Sequence, residues 1–183
     1  MSKHIQVPFK KEDILALRSG DRVLLTGTVY TARDAAHKRM AEQIEKGAPL
    51  PFDVENQVIY YVGPTPAKPG QVIGSAGPTT SSRMDKFTPA LLDMGLRGMI
   101  GKGYRSEEVK KSIVKNQAIY FGAIGGSAAL ISRSIKSVEV IAYDDLGTEA
   151  IRKLEIENFP VVVINDAHGN DLYREGVEKY RQI

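Results

Sequence analysis

Three short segments gather side chains able to hold an anion. The first is Ala32-Arg33-Asp34-Ala35-Ala36-His37. Its spacing predicts a helix with Arg33 in the first turn, where a cation opposes the helix dipole by about 0.3–1 kcal/mol. An anion held between the helix amides and the guanidinium would reverse that sign. His37 follows one turn later on the same face. A solvated arginine paired with Asp34 accounts for the same residues. The second is Gly77-Pro78-Thr79-Thr80-Ser81-Ser82-Arg83. Four hydroxyls ahead of an expected helix, with an arginine one turn in, could cradle a carboxylate or phosphate. Ordinary capping by Ser or Thr is the alternative. The third is Gly101-Lys102-Gly103, where flanking glycines permit a tight turn that presents an ammonium at a strand end. A solvated lysine in a turn reads equally well. The glycine spacing is wrong for a phosphate-binding loop, and Gly103 stands where its Ser or Thr would be. A fourth segment, Phe121 to Leu130, is a glycine-rich strand-to-helix turn without GxGxxG, open to a ligand or to close helix–sheet packing.

The elements that must position these groups follow from periodicity. Ile5 to Pro8 reads as an edge strand, and Lys11 to Leu17 as a short helix. Asp21 to Val29 is an apolar strand. Ala32, Ala36, Met40 and Ile44 recur every four residues, which predicts a helix over Thr31–Lys46 stopped by Gly47 and Pro49. Strands are expected at Val58–Val62, Gln71–Ser75, Arg97–Gly101, Ala118–Ala123 and Val138–Tyr143. Helices are expected at Met84–Met94, with a break or restart at Pro89, at Ser106–Asn116 with Ser106 as N-cap, and at Gly125–Ile135. The last third reads as β-hairpin structure, with a turn at Asp166–Asn170. Strands alternate with helices, so the class is α/β with a mostly parallel or mixed sheet, in one domain over residues 1–183.

Composition narrows the chemistry. The chain has 183 residues, 25 Lys and Arg against 22 Asp and Glu, and a net charge of +3. That balance is too weak and too dispersed to argue for nucleic acid, and it suits an acidic small substrate. There is no cysteine, so a disulfide framework, a zinc-thiolate site and a self-contained iron–sulfur cluster are excluded. His4, His37 and His168 form no HxH or HxxxH pair, and no metal site is expected from this chain alone. No apolar run is long enough for a membrane helix, and the N-terminus lacks a signal-peptide core. No membrane association is expected, and a cytoplasmic protein is.

The stretches LTGTVYTARDAAHKRM, YYVGPTPAKPGQVIGSAGPTTSSRMD, GLRGMIGKGY, AIYFGAIGGSAAL and NFPVVVINDAHGNDLY, in this order, resemble the β subunit of class I fumarases and L-tartrate dehydratases. The resemblance implies a swivelling, layered β/β/α domain around a mixed sheet. It implies reversible addition of water across a dicarboxylate double bond, fumarate to L-malate, with dehydration of L(+)-tartrate to oxaloacetate as the alternative. It implies a [4Fe–4S] cluster bound by a partner α subunit, which the absence of cysteine here fits, and an α2β2 or similar assembly. By motif, Arg33, Arg83 and Lys102 correspond to carboxylate-binding residues. Thr79 corresponds to the residue beside the carbon that gains or loses a proton, Thr80 lies alongside, and His37 supports Arg33. A non-catalytic anion-binding regulatory subunit is the reading from another class.

Overall fold

The computed structural model describes residues 2–123 and 128–181. In chain order the strands are β1 (Lys3–Val7), β2 (Arg22–Thr31), β3 (Val58–Tyr60), β4 (Gly98–Gly101), β5 (Ile119–Ala123), β6 (Ile135–Ala142) and β7 (Ile151–Asn165). The helices are α1 (Lys11–Ala16), α2 (Asp34–Glu45), α3 (Thr88–Asp93), α4 (Glu107–Lys115), α5 (Ala128–Arg133) and α6 (Leu172–Tyr180). β1 runs parallel to β2, and β2, β3, β4 and β5 are successive parallel neighbours. The long β7 is antiparallel to β2, β5 and β6. Because β7 touches both β5 and β2, the circuit β2–β3–β4–β5–β7 closes on itself. The fold is mixed α/β, as the alternation of elements predicts.

Strand residues alternate between two cores, as the pleat requires. Val58, Tyr60, Ile100 and Phe121 point inward to meet Leu154, Phe159 and Val163 of β7. Ile59, Met99 and Tyr120 point outward against Met40 of α2, Leu91 and Leu92 of α3, and Val109 and Ile113 of α4. The result is a strand layer folded over a strand layer, with helices on the outside. Ser106 caps α4 by accepting from the Val109 amide at 3.3 Å, with Glu107 and Glu108 in the first turn, as the sequence predicts.

Two expected elements differ. Gln71–Ser75 is not a strand. The chain between Gly63 and Pro78 is a loop closed by Thr65, whose amide donates to the Ser75 carbonyl at 3.0 Å. The Thr65 hydroxyl accepts from the Ser75 amide at 2.7 Å. A Cβ at Gly74 would lie 2.3 Å from the Thr65 carbonyl oxygen, so glycine permits the closure. In the last third β6 and β7 pair antiparallel and Asn165 bridges Asp171 across the expected turn, but Leu172–Tyr180 is the helix α6 rather than a strand. Asp171 caps that helix by accepting from the Tyr173 amide at 3.1 Å and the Arg174 amide at 3.5 Å. The turn before it is held by Asp166, whose carboxylate accepts from the amides of Ser19, His168 and Asn170. Burial acts to raise the Asp166 pKa, but these donors and the Asn170 side chain outweigh it and hold it below the ordinary value.

Candidate active site

The parallel strands align their carboxyl ends. Thr31 is in register with Tyr60, Tyr60 with Ile100, and Ile100 with Phe121. The cation- and hydroxyl-bearing segments leave from this row. Arg33 follows β2, Lys102 follows β4, and the Thr79–Arg83 segment is stitched between the ends of β3 and β4. The Thr79 amide donates to the Tyr61 carbonyl at 2.7 Å, the Ser81 amide to the Lys102 carbonyl at 2.9 Å, and the Lys102 amide to the Thr79 carbonyl at 3.3 Å. Thr80 and Lys102 thereby form a parallel bridge. Gly101 is required for this approach, since a Cβ there would lie 2.0 Å from Ser81 Oγ. Gly103, with φ +81, makes the turn that leaves Lys102 exposed.

Arg33 and Arg83, distant in sequence, meet at one carboxylate, that of Asp34. Arg83 Nε donates to Asp34 Oδ1 at 2.9 Å, and Arg33 Nε lies 3.7 Å from Asp34 Oδ2. Glu149 approaches Arg33 Nε from the other side at 3.9 Å. The guanidinium of Arg33 lies over Gly63, where a Cβ would be 2.8 Å from Nη1. Arg33 Nε and Asp34 Oδ2 are both buried, and among the described residues neither has a hydrogen bond. Such orphans cost about 1–3 kcal/mol each and mark a group awaiting a partner. Lys102 makes no ion pair among the described residues, and the Thr79 hydroxyl has no hydrogen-bond partner among them. Thr80 is exposed and the Arg83 side chain is 49% exposed, so the cations crown an open face.

Several details correct the sequence expectation. Arg33 is the N-cap residue of α2 rather than part of its first turn; its extended backbone (φ −117, ψ −160) ends β2's path before the helix begins. The four hydroxyls are not equivalent. Ser81 is buried, and its Oγ meets the Tyr120 hydroxyl at 2.8 Å, which itself donates to the Gly103 carbonyl at 2.8 Å. The amides of Thr79 and Ser81 are taken by the main-chain stitching, so they do not form a free cradle. Thr80, not Thr79, stands at the N-cap of the short 3-10 turn Ser81–Met84, and its side chain makes no capping bond. Ile124 to Ser127 of the glycine-rich turn, and so the start of the helix expected from Gly125, lie outside the described residues.

His37 is fully buried, with its ring edge-on to Tyr61 at 5.4 Å. Its Nδ1 lies 2.9 Å from the Arg33 carbonyl, which can only accept, so Nδ1 carries the proton. Nε2 is then a bare acceptor without a hydrogen-bond partner among the described residues. Burial, joined by the Arg105 charge, pulls its pKa down to about 4 against the opposing Arg33 carbonyl and Asp34, so the ring is neutral. Arg105, which sequence reasoning did not single out, is buried beneath the same segments and bonded to Asp85, Tyr61 and Thr88.

Cations and hydroxyls gather at the carboxyl ends of parallel strands on a mixed α/β domain, the place where α/β enzymes collect ligands. Residues 2–176 match the family described as Fumarase C-terminus, and the chain belongs to that family. It is 43% identical over 156 residues to the mitochondrial fumarate hydratase 1 of Leishmania major, covering 84% of this chain and 28% of that protein. It is 42% identical over 160 residues to the anaerobic class I fumarate hydratase of Escherichia coli, covering 86% and 29%. It is 39% identical over 171 residues to a putative L(+)-tartrate dehydratase subunit beta of Methanocaldococcus jannaschii, covering 90% and 88%. The chain therefore spans roughly a third or less of the fumarate hydratases it matches, but 88% of the tartrate dehydratase subunit. Among the described residues no three His, Cys, Asp or Glu side chains converge to hold a metal, and no helix is long and apolar enough to cross a membrane.

Proposed function

We propose that this chain is one half of a hydro-lyase active site, acting as a single domain over residues 1–183 in reversible hydration of fumarate to L-malate. The observation that carries the reading is the Arg33–Asp34–Arg83 junction, in which a buried Arg33 Nε lacks a hydrogen-bond acceptor beside a second guanidinium. A dicarboxylate needs separated cations, and Arg33, Arg83 and Lys102 supply three from one strand-end row. Arg33 and Arg83 can each grip a carboxylate with two parallel N–H donors. Thr79, bonded through its main chain to Tyr61 and Lys102, offers a hydroxyl to move a proton, and Thr80 adds a further contact. A threonine hydroxyl is a weak base unaided, so a neighbouring group must tune it. His37, neutral and bonded to the Arg33 carbonyl, supports that residue and does not contact substrate.

The chemistry implied by the family includes a [4Fe–4S] cluster. This chain has no thiolate to hold one, so its own residues do not fit the group. We infer that a cysteine-bearing α subunit carries the cluster and that this domain swings against it to close the site, in an α2β2 or similar cytoplasmic complex. L(+)-tartrate is the second reading, favoured by the match along nearly the whole length of a tartrate dehydratase subunit. Malate and tartrate differ by one hydroxyl, which a few pocket groups can discriminate.

Anaerobic reconstitution with a cysteine-bearing α subunit of the same family tests the proposal. Loss of fumarate's ultraviolet absorbance, or formation of oxaloacetate from tartrate, is the expected result, and whichever turns over faster names the substrate. An assembled, iron-loaded complex that transforms neither compound would leave the regulatory anion-binding reading in its place.

A further inference from the structure

We propose that Arg105 is a positioning residue, whose buried guanidinium sets the segments carrying Arg83 and Lys102 in the geometry that grips the substrate's carboxylates. The proposal rests on the hydro-lyase reading for its substrate, but not for its geometry. The Arg105 side chain is 0% exposed. Its Nε donates to Asp85 Oδ1 at 2.7 Å, one terminal nitrogen to the Tyr61 hydroxyl at 3.1 Å, and the other to Thr88 Oγ1 at 2.8 Å. Its face lies against the rings of Tyr61 and Tyr120, with centroids at 5.3 and 5.0 Å.

Each partner leads to the site. Asp85 stands two residues after Arg83, and its second oxygen accepts from the Ser106 amide at 2.7 Å. Thr88 passes its own proton to the Met84 carbonyl at 2.9 Å, next to Arg83. Tyr120 donates to the Gly103 carbonyl, so Ser81 must be the donor in its contact with Tyr120. One guanidinium therefore joins the end of β3, the Ser81–Thr88 segment, the Lys102 turn and β5. All three of its nitrogens are committed within the protein, which leaves it no role as a substrate ligand. A planar fork with five donors can hold this many partners, whereas an ammonium cannot reproduce the arrangement. A buried ion pair is a poor source of stability compared with apolar packing. Its place at the junction of two cation-bearing segments fits a role in geometry.

The test is Arg105→Lys in the full chain, with amide hydrogen exchange on that chain and kinetics on the reconstituted complex. The expected result is exchange accelerated roughly 10-fold or more at the Ser81 and Lys102 amides, with Ile59 and Tyr120 in the strands unchanged. kcat/KM should fall roughly 10- to 100-fold, the scale of an ångström-sized misplacement. In an Arg83→Lys background the same change should cost less than about 3-fold, because its effect runs largely through Arg83. Unchanged exchange at Ser81 and Lys102, exchange raised uniformly across the sheet, or fully additive kinetic losses would each overturn the proposal. If Arg105→Lys does not fold, Thr88→Val removes one acceptor of Arg105, along with the bond to the Met84 carbonyl, and takes the same measurements with the same criteria. Should the unaltered complex transform no dicarboxylate, the hydro-lyase reading fails, while the two amides still decide the positioning role.

Discussion

Thr79 combines a fixed backbone with an unengaged hydroxyl: its amide and carbonyl are both bonded across the strand ends. In the reconstituted complex, Thr79→Ser should keep much of kcat and Thr79→Val should lose on the order of 10²-fold, the scale of general acid–base catalysis. Because Thr80 holds the N-cap position without a capping bond, Thr79→Val should leave the melting point nearly unchanged. A lowered melting point with intact kcat would instead assign Thr79 a structural task. His37 makes a second prediction. Its folded pKa is depressed to about 4, so below its ordinary value of 6.5 the unfolded chain binds more protons than the folded one. Stability contributed by the neutral ring is full above about pH 7 and falls as pH drops towards 4, by about 2 kcal/mol at pH 5. His37→Gln, which keeps a donor for the Arg33 carbonyl, should flatten that part of a pH–melting curve; an unchanged slope would contradict it. At this scale the sequence makes Arg33, Arg83 and Lys102 legible, because a cation beside glycines or a helix start is unusual locally. Asp34 as the shared partner of two arginines, the burial of Ser81 under Tyr120, and Arg105 depend on contacts 17 to 49 residues apart, which no local pattern encodes.

The elements place these groups through the common register of β2 to β5, and Gly101 is where β4 admits the hydroxyl segment. Gly101→Ala should push Ser81 and Tyr61 aside, since the added carbon would lie 2.0 Å from Ser81 Oγ and 2.9 Å from Tyr61 Cδ2. An overpacking cost of about 1–3 kcal/mol leaves the chain folded in most contexts. The expected outcome is a modest drop in melting point with a disproportionate loss of kcat/KM in the complex. Equal kinetics with a lowered melting point would show that the Thr79–Arg83 segment tolerates displacement. The central strands and α4 are legible because their apolar periods and the Ser106 cap are local. Gln71–Ser75 misleads because its residues have strand-like composition while Pro64, Pro66, Pro69 and Gly70 fold the neighbouring chain into a loop closed by Thr65. α6 is hidden because Gly176 weakens its helical pattern and its cap, Asp171, also serves as the partner of Lys110 at 2.7 Å.

For the whole molecule, a closed strand circuit and an outer helical layer form a rigid frame, and one edge of that frame presents three cations and two exposed or half-exposed threonines. The absence of cysteine fits the proposed division of labour at this scale: under the hydro-lyase proposal this chain offers charge and a hydroxyl, and a cysteine-bearing α subunit carries the cluster. The ordering of five long motifs made the family legible in sequence, whereas the closure of β7 onto both β2 and β5 is a long-range pairing that only the fold reveals. The most direct measurement is kcat/KM of the anaerobically reconstituted complex containing Arg33→Ala, with iron content and assembly measured on the same sample. Leaving a desolvated carboxylate unpaired costs about 2–5 kcal/mol, so a loss of roughly 30- to 5,000-fold at unchanged iron and unchanged assembly is predicted, with poor rescue by Arg33→Lys. Near-normal kcat/KM, or a loss that merely tracks missing iron, would contradict the claim that this chain holds the substrate.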